Sequence, residues 1–130
     1  MHKNIMEKWV NALRSGKYCK GRGVLTEVKK NGTKNYCCLG VLCELYMEEN
    51  NLSIRIGPQS SHRSRDRMIV HYAHYDKFLP CEVANWAGMG SLLGESDCGF
   101  VSLWKLNDDP KAKRSFKRMA DIIEKNWSIL

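Results

Sequence analysis

A chain of 130 residues with 21 Lys and Arg against 14 Asp and Glu, a formal net charge of +7, can bury one hydrophobic core and attract polyanions. Hydrophobic residues at 43% and charged residues at 27% argue against disorder over most of its length. No stretch approaches the roughly 20 apolar residues of a membrane span, and the opening Met-His-Lys-Asn-Ile-Met-Glu-Lys-Trp lacks a signal-peptide core. The expectation is a cytoplasmic protein whose Cys19, Cys37, Cys38, Cys43, Cys81 and Cys98 stay as free thiols.

Residues 3–15 predict an amphipathic helix, because Ile5, Trp9, Ala12 and Leu13 recur at helical spacing between polar residues, and Gly16 is placed to end it. Residues 17–23 read as a basic, glycine-bearing loop. Two short β-prone runs, 24–28 and 34–38, flank Asn31-Gly32, a strong hairpin signal. Residues 39–50 then predict a helix with Leu39, Leu42, Cys43 and Tyr46 on its packing stripe. Gly40 in that helix implies a close neighbour, since glycine weakens a helix by up to about 1 kcal/mol relative to alanine.

Residues 53–56 alternate like a short strand, and 59–67 read as an exposed polar loop. Residues 68–75 return to β-prone composition. Pro80 opens another helix, with Val83, Ala84, Trp86 and Ala87 as packing residues, and Gly88-Met89-Gly90 stops it. Residues 100–106 read as extended, and Asn107-Asp108-Asp109-Pro110 as a turn and N-cap cluster before a last helix over 111–126. The sum is one α+β domain over residues 1–130, with about four helices packed on a small antiparallel sheet or hairpin.

The cysteines do not read as a metal site. Adjacent Cys37 and Cys38 cannot both face one tetrahedral ion, and no second Cys-x-x-Cys pair follows. The expectation is no metal, no cofactor and no catalytic residue. His71 and His74 fall on opposite sides of a strand and read as surface histidines. Asp108-Asp109 is accounted for by capping, and Glu48-Glu49 by a solvated helix end. Cationic residues do cluster: Arg14, Lys17, Lys20 and Arg22 surround Tyr18 in the first loop. Loop N–H groups beside such cations can hold phosphate oxygens. Lys113, Arg114, Lys117 and Arg118 would form a second cationic face on the final helix, of a kind that docks on phosphate backbones.

Trp9-Val-Asn-Ala-Leu-Arg-Ser-Gly-Lys-Tyr18, Tyr36-Cys-Cys-Leu-Gly-Val-Leu-Cys43, Leu103-Trp-Lys-Leu-Asn-Asp108 and Ala120-Asp-Ile-Ile-Glu124 together resemble a widespread family of small phage and prophage proteins. Such proteins are similar to counter-defence factors, among them sponges that sequester the cyclic nucleotides of bacterial immunity. That resemblance, the basic loop and the missing catalytic set imply a non-enzymatic sponge for a cyclic di- or trinucleotide. Arg14, Lys17 and Arg22 would contact phosphates, Tyr18 and Trp104 would stack on bases, and Asn107 or Asp108 would read base edges. A homo-oligomer without membrane contact, in the cytoplasm of an infected bacterium, is expected. The alternatives are a protein–protein inhibitor of a host defence enzyme and a basic nucleic-acid-binding phage regulator.

Overall fold

A computed structural model describes residues 1–59, 67–97 and 99–130. Its first helix, α1 (Lys3–Arg14), buries Ile5, Met6, Trp9, Val10 and Leu13 along one face and leaves Lys3, Glu7, Lys8 and Asn11 in solvent. Trp9 is fully buried, and its Nε1 donates to the Cys38 carbonyl at 2.9 Å, so the indole loses no hydrogen bond inside the core.

The basic loop that follows is partly ordered by the sheet. β1 (Cys19–Lys20) runs parallel to β3 (Lys34–Tyr36), which pairs antiparallel with β2 (Thr26–Val28). β2 and β3 are the expected hairpin. Gly32 takes φ +85 at its turn, a conformation that costs glycine little, and Lys29 donates its N–H to the Thr33 carbonyl at 2.8 Å.

α2 (Cys38–Glu49) lies at the centre. Residues 38–43 are buried without exception, so the first half of this helix is apolar on every side rather than along one stripe. The Cys37 thiol caps it by accepting the Gly40 N–H at 3.3 Å. At Gly40 the helix meets the segment leading into β2 so closely that a Cβ would overlap the Leu25 carbonyl oxygen. That is the close neighbour the sequence implies.

β4 (Ile54–Pro58) and β5 (Met68–Tyr72) complete a five-stranded sheet of order β1-β3-β2-β5-β4. Pro58 is tolerated because β4 is an edge strand. The sheet is mixed, not wholly antiparallel, because β1 pairs parallel to β3 while every other neighbouring pair is antiparallel. Tyr72 joins sheet to helix: its hydroxyl donates to Glu44 Oε1 at 2.6 Å and lies 2.7 Å from Thr26 Oγ1. The exposed-loop reading of 59–67 falls mostly outside the described residues; Gln59 itself is buried and Arg67 half-buried.

α3 (Cys81–Ala87) follows Pro80 and ends at Gly88 as expected. The next segment corrects the sequence reading. Residues 103–108 form a helix, α4 (Leu103–Asp108), because Leu103 and Asn107 are the buried pair at i,i+4 spacing. Asn107 and Asp108 therefore close α4 instead of capping the helix after it. The last helix, α5 (Phe116–Asn126), begins at Ser115, whose hydroxyl accepts the Arg118 N–H at 3.2 Å. Lys113, at φ +46, and Arg114 precede it, so the cationic face expected from their pairing with Lys117 and Arg118 on one helix does not form. A 3-10 turn, Trp127–Ile129, ends the chain. Among the described residues α4 brings the α-helices to five, one more than expected, and the fold is a single small α+β domain. Among the described residues no helix is long and apolar enough to cross a membrane.

Candidate functional site

The β1 loop and the turn between α4 and α5 face each other across a cleft of about 480 Å³. Its walls carry Lys20 and Arg22 from the loop, Arg67 from the approach to β5, and Lys113 and Arg114 from the turn, against the carboxylates of Glu27 and Asp109. Each carboxylate is already engaged. Arg67 Nη2 donates to Glu27 Oε2 at 3.2 Å and to the Arg22 carbonyl at 2.8 Å. Arg114 Nη1 donates to Asp109 Oδ2 and to the Leu106 carbonyl, both at 3.2 Å. Asp109 also accepts the Lys111 and Ala112 N–H groups, which hold its carboxyl below the usual range.

Positive charge is therefore in excess, and it is preorganised. A guanidinium has five N–H donors, so Arg67 and Arg114 keep some free for a ligand. Lys20 is drawn in by its bond to the Asn107 carbonyl at 2.8 Å, and partial burial lowers its pKa from the ordinary value.

Beside the cleft lies an apolar cavity of about 420 Å³, walled by Val24, Leu39, Phe78, Leu93 and Trp104, with Cys37 among its lining. Trp104 Nε1 donates to Glu95 Oε1 at 3.0 Å, and Ser102 Oγ donates to the same oxygen. Those two bonds lower the Glu95 pKa and fix the edge of the indole. A third hollow of about 440 Å³ shares Arg22 and Arg67 with the cleft, and Gly23 and Asp108 with the cavity. Cationic and aromatic surfaces are thus continuous.

Of the residues singled out in the sequence, Arg22, Trp104, Asn107 and Asp108 converge on this region. Arg14 does not. It spans to α5, pairing with Asp121 at 2.8 Å and Glu124 at 2.7 Å, which raises its pKa and satisfies its charge. Lys17 lies 3.8 Å from Glu48 and 5.4 Å from the Tyr18 ring centroid. Tyr18 packs edge-on against Tyr36, with centroids 5.1 Å apart, and lines neither cleft nor cavity.

Asn107 reaches the cleft but is committed to the protein. Its Oδ1 accepts the Cys38 N–H at 3.1 Å, and its Nδ2 donates to the Gly21 carbonyl at 3.1 Å and to Asp108 Oδ1 at 2.8 Å. At 1% exposure it positions the loop and has no free edge to read a base. Asp108 borders the linking hollow and keeps that role available.

Cys37, Cys38 and Cys43 are buried free thiols, and Cys19 and Cys81 exposed ones; Cys98 lies outside the described residues. Burial pushes the Cys37 thiol up to about 12 and the Cys38 and Cys43 thiols well above their ordinary value, which suits packing and not nucleophilic attack. Among the described residues no group of three His, Cys, Asp or Glu side chains could hold a metal ion. His71 departs from the surface reading: only His74 is exposed, while His71 is buried.

Residues 1–127 match the family model described as Domain of unknown function (DUF8296). The chain belongs to the DUF8296 family. No curated protein and no solved structure matches it. The cleft of this DUF8296 chain includes cations that sequence reasoning did not place there. In the sequence Arg67 falls in a polar loop, and Lys113 and Arg114 read as part of a helix face. Phe78 and Leu93, which wall the cavity, carry no local signal of a binding role.

Proposed function

We propose that the chain is a non-catalytic binding protein for a phosphorylated, base-bearing ligand, of the cyclic di- or trinucleotide class, acting as a phage counter-defence sponge. The observation that carries this reading is the continuity of a cleft bearing Lys20, Arg22, Arg67, Lys113 and Arg114 with an apolar cavity walled by Phe78 and Trp104. Phosphates take the guanidinium donors, and a base slides against the aromatic wall. Asp108, at the junction, accepts from an exocyclic amine. Asn107 holds the loop through the Gly21 carbonyl, and Arg14, Lys17 and Tyr18, engaged elsewhere, do not contact the ligand.

Calorimetry with a panel of cyclic di- and trinucleotides tests the reading. One member should bind at micromolar or lower Kd and be recovered intact after the protein is denatured. Arg114→Ala or Arg22→Ala should weaken it by about tenfold or more, as loss of a charge-assisted bond of 1.5–3 kcal/mol implies. Absence of any micromolar binder overturns the proposal, and recovery of cleaved ligand replaces it with an enzyme. Light scattering with and without ligand reads whether a homo-oligomer holds the nucleotide. Steep salt-dependent binding to DNA or RNA in place of a cyclic nucleotide would favour the nucleic-acid alternative.

A further inference from the structure

The sheet carries a separate hollow, of about 330 Å³, lined by Ser53, Ile54, Arg55, His71 and His74 and sharing no residue with the cleft or the apolar cavity. His71 stands on β5 between Val70 and Tyr72, both in the core, so strand alternation turns its ring to the opposite face. There it is in register with Arg55 on β4. The residue is 7% exposed, and its Nε2 has no hydrogen-bond partner among the described residues. A buried polar atom in that condition has given up its hydration without a replacement bond, so it marks a place where a partner belongs.

Arg55 and His71 converge. A Cβ placed on Gly57 would lie 2.5 Å from Arg55 Nη1 and 3.8 Å from His71 Nε2, so the bare glycine leaves room for both side chains above one point of β4. Across the mouth, Ala73 and His74 hold left-handed backbone angles of φ +47 and +75. The Ala73 N–H donates to the Ser53 carbonyl at 2.7 Å, which pins that turn beside Ser53. Among the described residues no carboxylate lines the hollow and Arg55 makes no ion pair.

We propose that this hollow is a second site, independent of the cleft, that binds a phosphoryl oxyanion. Arg55 supplies the positive charge and His71 Nε2–H a buried donor, while Ser53 and His74 border the entrance. A volume near the bottom of the ~300–1,000 Å³ range of small-molecule pockets suits one phosphate group better than a dinucleotide.

The test is a titration of the full chain with inorganic phosphate at fixed pH and ionic strength, followed through the histidine ring signals by NMR. The His71 ring should shift saturably, and Arg55→Gln, a change at an exposed residue, should weaken the response about tenfold while the spectrum stays dispersed. Arg114→Ala in the cleft should leave the phosphate curve unchanged. A flat His71 response, the same curve in Arg55→Gln, or loss of the response in Arg114→Ala would each overturn the proposal. An equal response to acetate would overturn the phosphoryl assignment. Methyl phosphate in a parallel arm separates a phosphate ester, bound as tightly as the inorganic ion, from free phosphate, which would be preferred.

Discussion

At Gly40 a single methyl group would collide with the Leu25 carbonyl, which is backbone of the segment leading into β2. Gly40→Ala should therefore destabilise the fold by about 1–3 kcal/mol, the usual cost of overpacking, in spite of alanine's better helix propensity. A lower denaturant midpoint checks it, and a stabilised variant would refute the close approach. The buried thiols add a pH dependence. Cys37 is raised from its ordinary value of 9.0 to about 12, and Cys38 and Cys43 are raised too. The folded chain thus keeps protons that the unfolded chain gives up. Their contribution is fully present below pH 9 and is lost progressively as pH rises above it, because the unfolded thiols ionise while the buried ones stay protonated. Denaturation curves at pH 8, 9 and 10 should show an even midpoint first and a falling one after. Peptide mapping of thiol labelling should find Cys19 and Cys81 modified in the native protein and Cys37, Cys38 and Cys43 only on unfolding. Sequence alone pointed to the core for these residues because cysteine is so often buried. It could not reveal that Arg14 meets acids more than a hundred positions away.

Among the elements, α1, the hairpin, α2 and α3 were legible, since each carries a strong period or a defined stop signal. α4 was not. Phe100 to Leu106 fits an extended run as readily as a helix, and only the burial of Leu103 with Asn107 decides between them. β1 is shorter still, and its partner strand comes later in the chain, so no local pattern announces it. Asn107 ties these two missed elements together. Asn107→Ala would leave the buried Cys38 N–H unpaired, at about 1–3 kcal/mol, and release the partly buried Gly21 carbonyl. Faster amide exchange across residues 19–23, with weaker ligand binding, is the expected result. Unchanged exchange there would show that the loop is held by other contacts. Arg14→Met, by contrast, should barely move the denaturant midpoint, because its ion pairs are exposed to solvent. It should leave ligand affinity as it is; a drop in affinity would restore Arg14 to the site.

For the whole molecule, the +7 surplus points to an anionic partner but not to where it would bind. Lys20, Arg22, Arg67, Lys113 and Arg114 come from three separate stretches and meet only through the fold. If one cyclic nucleotide is the ligand, a hundredfold excess over its Kd should stabilise the native state by about 2.7 kcal/mol, and the melting temperature should climb with ligand concentration. A melting temperature indifferent to every ligand in the panel would count against the cleft.

The contact between α1 and α5, sealed by Arg14 with Asp121 and Glu124, sets an order of events during synthesis. Chains are made from the N-terminus, so α1 emerges early with Leu13 and Trp9 uncovered and waits for its partner. A growing chain that has not yet produced residue 116 lacks α5 altogether. The native topology is therefore reached late, and until then the first helix is an apolar surface in search of cover, the stage at which aggregation or chaperone capture would compete with folding.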